Sequence, residues 1–519
     1  MTRAFDSIVV GGDPDGLAAA IGLSQRGSKV LLVEANAALG GAFREIEFAP
    51  GYRTAPLASD TGYLSPEVAR ALGSVPAAEP TPDPVVVSLS DGAPLLLRAA
   101  TAQTAEDLKR FSTKDAQNWP AFTERMGSLA QFLAELYHVP ALRIDADKTR
   151  EFLALASLGS KYRKLGKTGM VELLRTLPMA LGDLLDDWFE SDRLKGMLAA
   201  LGVMDVCQGP VAGGTSFTFL HRHVGGRQGV FNERLRLKGG ATALVAALAE
   251  RARALGVTIE TNVAVGRTIV RDGRIAGITL ASGEVITCRT VVSSLDPYRS
   301  LLGLVDPVHL DPEFIHAVRN IRFRGVTTKI LLALDSLPPI PGTTAPLSGS
   351  VVIAPSIRYV ERAYDATKYG QCSDEPFIEV RFPSVAQPWL APAGKHVAVM
   401  HVQFTPYKLR EQSWEQIRDS VADRAVALVE QQIPGFASRI CARSVLSPVD
   451  LESQFGVREG AVSQGEMMLD QILFMRPVAG FSRYATPIPG FFVCGAGTHP
   501  GAGIPGMSGL LAARAALAN

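Results

Sequence analysis

Cysteine is scarce: five in 519 residues, Cys207, Cys288, Cys372, Cys441 and Cys494, with no CxxC pair and no metal-type spacing. That pattern excludes a disulfide framework, a zinc ribbon and a dithiol redox centre, and it fits a reducing, cytoplasmic compartment. An excess of one charge is also missing. Lys plus Arg number 52 against 51 Asp plus Glu, a formal net charge of +1. A nucleic-acid partner would call for a strong basic excess, so none is expected. Charged residues make up only 20% of the chain, below the roughly 25% of ordinary soluble domains. No run approaches about 18 apolar residues, so no transmembrane helix is expected. GxSxG, HExxH and Walker A motifs are absent, which leaves hydrolase, metalloprotease and P-loop chemistry without support. His221-Arg222-His223 lacks a third ligand. It reads as a packing or surface feature, and no metal is expected.

What is present is apolar: 47% of residues, enough for sizeable cores in a chain whose length suggests roughly three domains of about 150 residues. Near the N-terminus, Arg3, Ile8-Val9-Val10 and Leu17-Ala18-Ala19-Ala20 have the outline of a signal peptide. Gly11-Gly12-Asp13-Pro14-Asp15 interrupts the apolar run, so no signal peptide is expected. The pattern is instead a strand at 6–10, a turn at 11–16, a helix at 16–27 closing at Gly27, and a strand at 29–33 ending on Glu34. Such a βαβ unit makes its strands parallel. Further on come a hairpin signal at 85–98, a mostly helical stretch at 105–200 and a Gly-rich region at 209–240. An amphipathic helix at 241–255 follows. Strands are expected at 257–260, 263–270, 274–280, 290–293, 326–335, 376–382 and 396–404, and a helix at 412–432. The tail returns to the texture of the start: a strand at 491–494, the run GAGTHPGAGIPG, and an Ala-rich helix.

The turn Gly11-Gly12-Asp13-Pro14-Asp15-Gly16 matches the dinucleotide fingerprint GxGxxG at its first and third glycines, with Asp13 at the second. The first glycine makes the tight turn, the second admits a pyrophosphate, and the third lets helix and strand pack. Glu34 lies about 20 residues on, where an acid binds ribose hydroxyls. Together they favour nucleotide binding over a bare structural βαβ.

Glu34 is soon followed by Leu39-Gly40-Gly41-Ala42, and here the chain resembles FAD enzymes of the glutathione-reductase-like class, in particular the phytoene desaturase branch of carotenoid desaturases and isomerases. Other markers are Gly239-Gly240, Val291–Pro297, Pro383-Ser384, Pro392–His396, Pro448–Glu452, Leu469-Asp470-Gln471, Arg476-Pro477 and Cys494–Gly501. The resemblance implies an α/β fold with a Rossmann-type FAD-binding domain from residues 1–75, 225–300 and 465–519. It also implies an inserted α+β substrate domain from 76–224 and 301–464. FAD is the implied cofactor. Its implied binding residues are Gly11, Gly12, Asp13, Gly16, Glu34, Gly40 and Gly41 at the N-terminus, and Gly495, Ala496, Gly497, Gly503 and Ile504 near the C-terminus. The implied reaction is hydride transfer to flavin from a CH–CH bond of an apolar, isoprenoid or polyene substrate. A redox-neutral polyene isomerase and a pseudo-enzyme binding protein partners are the alternatives. No catalytic base is identified.

Some features cut across this expectation. Asp13 places a side chain and a negative charge where a pyrophosphate approaches, Pro14 removes an N–H, and Asp15 competes for the positive end of the helix. Weakened FAD binding is therefore expected. Cys494 reads as a small buried residue. Lys161-Tyr162-Arg163-Lys164 with Lys167 reads either as a solvated helix end or as a contact to anionic lipid. Leu177, Met179, Leu181, Leu184, Leu185, Trp188 and Phe189 read either as a tunnel lining or as ordinary core. The low charge and the mean hydropathy of +0.15 point to an apolar substrate reached by peripheral membrane contact. A homo-oligomer is compatible with the sequence, which does not set the oligomeric state.

Overall fold

The computed structural model describes residues 3–58, 60–141, 159–160, 162–163, 165–226 and 235–518. At its centre is a five-stranded sheet in the order Phe491–Val493, Thr290–Ser293, Ser7–Val10, Val30–Glu34, Thr258–Thr261. Every pairing in it is parallel. The central strands are runs of Ile, Val and Leu because helices cover both faces, the usual condition of a parallel sheet. Ile8, Val9, Leu31, Leu32, Val291 and Val292 are fully buried or nearly so.

The helix after the first strand spans Pro14–Ser24, two residues earlier than the sequence spacing predicts. Asp13 caps it and Pro14 occupies its first turn, the position where a missing N–H is harmless. The hairpin signal at 85–98 becomes the antiparallel strands Val86–Leu89 and Leu95–Leu97. These belong to a seven-stranded mixed sheet, in the order Ile440–Leu446, Thr327–Leu334, His396–Gln403, Ile378–Arg381, Ser350–Ile353, Val86–Leu89, Leu95–Leu97. All five strands of the parallel sheet fall within residues 1–75, 225–300 and 465–519. All seven of the mixed sheet fall within 76–224 and 301–464.

Among the described residues, the helices Thr101–Leu108, Thr113–Tyr137, Gly166–Thr176, Leu181–Trp188, Asp192–Gly202 and Thr215–Arg222 form a helical layer. Its core is aromatic: Phe122 meets Phe189 edge-to-face at 4.8 Å and Trp188 at 5.6 Å. Leu181, Leu184, Leu185 and Phe189 are buried in that core, with Leu177, Met179 and Trp188 packed on it. The leucine-rich segment is thus helix packing.

The last helix, Met507–Ala518, lies against the first. Their contact is made possible by small residues. A Cβ on Gly509 would stand 1.9 Å from the Asp15 carbonyl oxygen, and one on Gly22 would stand 2.8 Å from Ala513 Cβ. Gly509→Ala therefore has to push two helices apart, and overpacking of this kind costs roughly 1–3 kcal/mol. Gly127→Ala is the control. Gly127 lies mid-helix and exposed, and its Cβ would meet open space, so the change stabilises by roughly 0.5–1 kcal/mol. Thermal melts of the two variants should move in opposite directions. A Gly509→Ala protein as stable as wild type would show that the helices are not in backbone contact.

Candidate functional site

The carboxyl ends of parallel strands are where open α/β sheets bind ligands, and the glycine turn sits there. Gly11, at φ +105°, would drive a Cβ to 2.3 Å from Ser294 Oγ. On Gly12 a Cβ would lie 2.5 Å from Leu39 Cδ2, and on Gly16 it would lie 2.1 Å from the Gly11 carbonyl oxygen. Glycine is thus imposed at Gly11 by its positive φ and at Gly16 by backbone contact, while at Gly12 the Leu39 side chain would have to turn aside. Asp13 accepts a hydrogen bond from the Gly16 N–H at 2.7 Å, satisfying one of the orphan donors of the helix start. Burial pushes the Asp13 carboxyl up to about 6, and the charge of Glu34 adds to this.

Asp15 does not serve its own helix. Its Oδ1 accepts from the Gly509 N–H at 3.2 Å, so it caps the last helix instead, which corrects the expectation that it competes for the first. Burial, followed by the charge of Asp13, pushes its carboxyl up to about 8.

Glu34 is buried at the end of its strand. One carboxylate oxygen accepts from the Gly12 N–H at 2.7 Å, and the other accepts from the backbone and side-chain N–H groups of Asn36 at 2.9 and 2.6 Å. It therefore ties the turn to the strand while lining the cavity. The Gly40 N–H donates to the Gly12 carbonyl at 2.8 Å. A Cβ on Gly41 would stand 3.0 Å from Asp13 Cβ.

The C-terminal run is fixed by residues that sequence reasoning did not single out as a group. The buried Arg476 guanidinium donates to the carbonyls of Ser463, Gly465, Glu466, Gln471 and Ala496. Gln464 Oε1 accepts from the Gly497 N–H at 2.9 Å. Ser508 Oγ accepts from the Gly495 N–H at 3.1 Å. Cys494 is fully buried, and burial holds its thiol far above the ordinary range, as suits a small packing residue. His221 donates from Nε2 to the Ala502 carbonyl at 2.8 Å and accepts at Nδ1 from the Tyr137 hydroxyl at 2.8 Å, which gives it a positioning role. Among the described residues no group of three His, Cys, Asp or Glu could hold a metal.

These elements enclose a cavity of about 560 Å³, within the range of small-molecule and cofactor sites. Of the expected residues, Gly11, Gly12, Asp13, Glu34, Gly41, Ala496, Gly503 and Ile504 line it. Gly16, Gly40, Gly495 and Gly497 lie behind it and serve packing; a Cβ on Gly497 would lie 2.3 Å from Pro297 Cδ. None of the seven apolar residues from Leu177 to Phe189 reaches the cavity. The mixed sheet and the helical layer contribute a charged wall instead: Asp205, Arg222, Lys329, Glu379 and Arg381. Arg381 donates to Glu379 at 2.8 Å and stands 3.8 Å from Asp60. The spacing of these residues along the chain gave no signal, since 176 positions separate Asp205 from Arg381. A glycine cradle, an acid at the end of the second strand and a second backbone loop from the C-terminus together fit FAD. Only the charge of Asp13 stands against it.

The sequence profile of the flavin-containing amine oxidoreductases matches residues 73–342, and that of the FAD-dependent oxidoreductases matches residues 6–45. The chain is 30% identical to pyridine nucleotide-disulfide oxidoreductase domain-containing protein 2 of Rattus norvegicus, over 98% of this chain and 92% of that protein. It is 26% identical to the neurosporene-forming phytoene desaturase of Cereibacter sphaeroides, over 54% of this chain and 53% of that one. Among solved structures, an oxidoreductase from Methanosarcina mazei superposes with a TM-score of 0.62 at 17% identity, covering 99% of this chain and 100% of that one.

The site yields two expectations. Glu34→Ala removes a charged acceptor, an interaction worth roughly 1.5–3 kcal/mol, and should weaken FAD at least about tenfold in equilibrium dialysis. Unchanged affinity in a folded variant would show that Glu34 only closes the turn. Asp13→Asn keeps the cap, since Asn caps as well as Asp, but loses the charge. In the wild type the Asp13 carboxylate ionises as pH rises through about 6, so FAD affinity should fall between pH 5 and pH 8. In Asp13→Asn this fall should shrink, leaving the variant about tenfold tighter at pH 8, well inside the several kcal/mol of a close like-charge pair. Identical pH profiles would remove the charge argument.

Proposed function

We propose, from the premise that this chain belongs to the flavin-containing amine oxidoreductase family and uses FAD, that it oxidises a CH–CH bond to C=C in a largely apolar substrate bearing a polar group. Gly11, Gly12, Glu34 and Gly41 would hold FAD at the N-terminal turn, and Ala496, Gly503 and Ile504 would hold it at the C-terminal loop. Bound FAD supplies the two-electron acceptor for a hydride. The substrate domain supplies the rest of the cavity.

The observation that carries the polar group is the charged wall. Val10, Val33, Leu57, Phe43, Met204 and Ile504 give the cavity an apolar lining, yet Asp205, Arg222, Lys329, Glu379 and Arg381 face the same space. A pure hydrocarbon pressed onto those groups would strip their water and return no hydrogen bond, which costs several kcal/mol. A hydroxyl, carboxyl or amine on the substrate replaces that water. The likeness to a phytoene desaturase supports the CH–CH chemistry.

Delivery from a membrane surface belongs to the same proposal. Val171 and Leu174 are exposed on the helix Gly166–Thr176, near Lys167. Of the basic run that pointed there, Lys161 and Lys164 lie outside the described residues. No helix among the described residues is long and apolar enough to cross a membrane.

The test is anaerobic mixing of the FAD-loaded protein with hydrocarbon polyenes and with the same chains ending in a hydroxyl, a carboxyl or an amine. Visible absorption follows the flavin, and chromatography follows the product. Polar-ended chains should bleach the flavin at least about tenfold faster, the effect of roughly one well-made hydrogen bond. Equal bleaching by hydrocarbons would contradict the polar group. Rearranged product without bleaching would establish an isomerase, and no response to any chain would favour a binding module.

A further inference from the structure

The glycine turn satisfies its own donors. The Gly11 N–H donates to the Val33 carbonyl at 2.9 Å, the Gly12 N–H to Glu34 at 2.7 Å and the Gly16 N–H to Asp13 at 2.7 Å. Pro14 has no N–H to give. A helix start of this kind ordinarily meets an anion with open backbone donors and the positive end of its dipole. Here three of those donors are answered within the chain, and Asp13 adds a charge of the anion's own sign. The diphosphate of FAD is doubly charged, so the cavity has to supply positive charge from another place.

The basic side chains lining the cavity are His221, Arg222, Arg299, Lys329 and Arg381. Four of them stand on the mixed sheet or the helical layer, and each has a partner there or nearby. His221 bridges Tyr137 and Ala502, and Arg222 donates to the Met204 carbonyl at 3.3 Å. Lys329 lies 2.9 Å from His401, and Arg381 donates to Glu379. Arg299 differs in both respects. It belongs to the stretches that carry the parallel sheet, a few residues beyond Ser294, which packs on Gly11 and Gly16. Among the described residues of 1–75, 225–300 and 465–519 it is the only basic side chain lining the cavity. The acids lining it from the same stretches are Asp13, Asp15, Glu34, Asp60 and Asp296.

The backbone of Arg299 is fixed and its head is not. Its N–H donates to Asp296 Oδ1 at 3.0 Å. Its guanidinium makes no hydrogen bond among the described residues, and Asp296 Oδ2 stands 3.5 Å from Nε as an ion pair, longer than a well-formed N–H···O bond. That buried Oδ2 accepts no hydrogen bond. Gly456, at φ +67°, leaves the head room, since a Cβ there would stand 2.6 Å from Nη1. The side chain is 39% exposed, and a loose pair of this kind contributes little to stability. A guanidinium is, however, the planar fork that matches phosphate oxygens.

We propose that Arg299 binds the diphosphate of FAD and supplies the counter-charge that the Asp13 turn lacks. The inference rests on FAD as the cofactor and is independent of the substrate and of the bond oxidised.

The test uses the full chain in two measurements. Equilibrium dialysis gives FAD affinity. Displacement of bound FAD compares ADP, which carries a diphosphate, with adenosine, which does not. Arg299→Gln should weaken FAD at least about tenfold, the size of one charge-assisted hydrogen bond. Arg299→Lys, which keeps the charge and loses the fork, should recover most of that loss. In the wild type ADP should displace FAD better than adenosine does. In Arg299→Gln that advantage should shrink at least about tenfold as well, with adenosine itself unchanged. Unaltered FAD affinity in Arg299→Gln would overturn the proposal. So would an equal loss for ADP and adenosine, which would mark a general disturbance of the site, or a wild type in which ADP has no advantage. An effect of Arg299→Gln confined to the KM of the carboxyl-ended chain would make Arg299 a substrate contact and would overturn it too. A wild type that binds neither FAD nor ADP would overturn the cofactor, and this proposal with it.

Discussion

The site depends on one close meeting of backbones, at Ser294. Its N–H donates to the Val10 carbonyl at 2.9 Å, and its hydroxyl donates to the same oxygen at 3.3 Å. Ser294 also forbids side chains on its neighbours: Cβ atoms on Gly11 and Gly16 would lie 2.3 and 3.0 Å from its Oγ, and one on Gly495 would lie 2.8 Å from its carbonyl oxygen. Three stretches separated by hundreds of residues are thereby drawn to the carboxyl edge of one parallel sheet. The N-terminal turn, the strand end at 293–296 and the C-terminal loop then face the same cavity because no room remains for any other arrangement.

Around that cradle the electrostatics divide. On the nucleotide side the fixed charges are acidic, Asp13 and Glu34, and they are held by backbone N–H groups rather than by cations. Backbone dipoles of this kind are already oriented, and they satisfy an acid without bringing in a competing basic side chain. On the side of the mixed sheet, cations and anions alternate and neutralise one another. Arg476 stands apart from both: a buried guanidinium answered only by carbonyls, including that of Ala496. It holds the C-terminal loop through geometry, and removing it would take a donor from five carbonyl groups, of which Gly465 keeps the Ser463 hydroxyl and Glu466 keeps the Gln471 amide.

The parts of this molecule that could be read in its sequence are those with short-range grammar. The βαβ unit, the glycines of the turn, Glu34 and the hairpin at 85–98 each carry their signal within about 20 residues, in the periodicity of strand and helix and in turn residues. Asp13 was legible as a departure from the glycine pattern. Its use as a helix cap was not, because a residue before a proline reads equally well as a loop. Asp15 was assigned to the wrong helix, since its partner Gly509 lies 494 positions away. The charged wall was invisible for the same reason. Asp205, Lys329, Glu379 and His401 sit in separate elements, and alternating strands show which residues point inward but not which inward residues meet. The stripe from Leu177 to Phe189 shows the converse. Its periodicity fits a tunnel wall and a helix core equally, and only the neighbouring aromatics Trp119 and Phe122 decide for core.

The central claim is that distant segments converge to form one cofactor site. Hydrogen–deuterium exchange of the full chain with and without FAD tests it most directly. The account predicts simultaneous slowing at 11–16, 34–43, 294–296 and 495–504, with the exposed hairpin turn at 272–273 unchanged. Protection confined to the N-terminal βαβ unit, with the C-terminal loop exchanging as before, would contradict it.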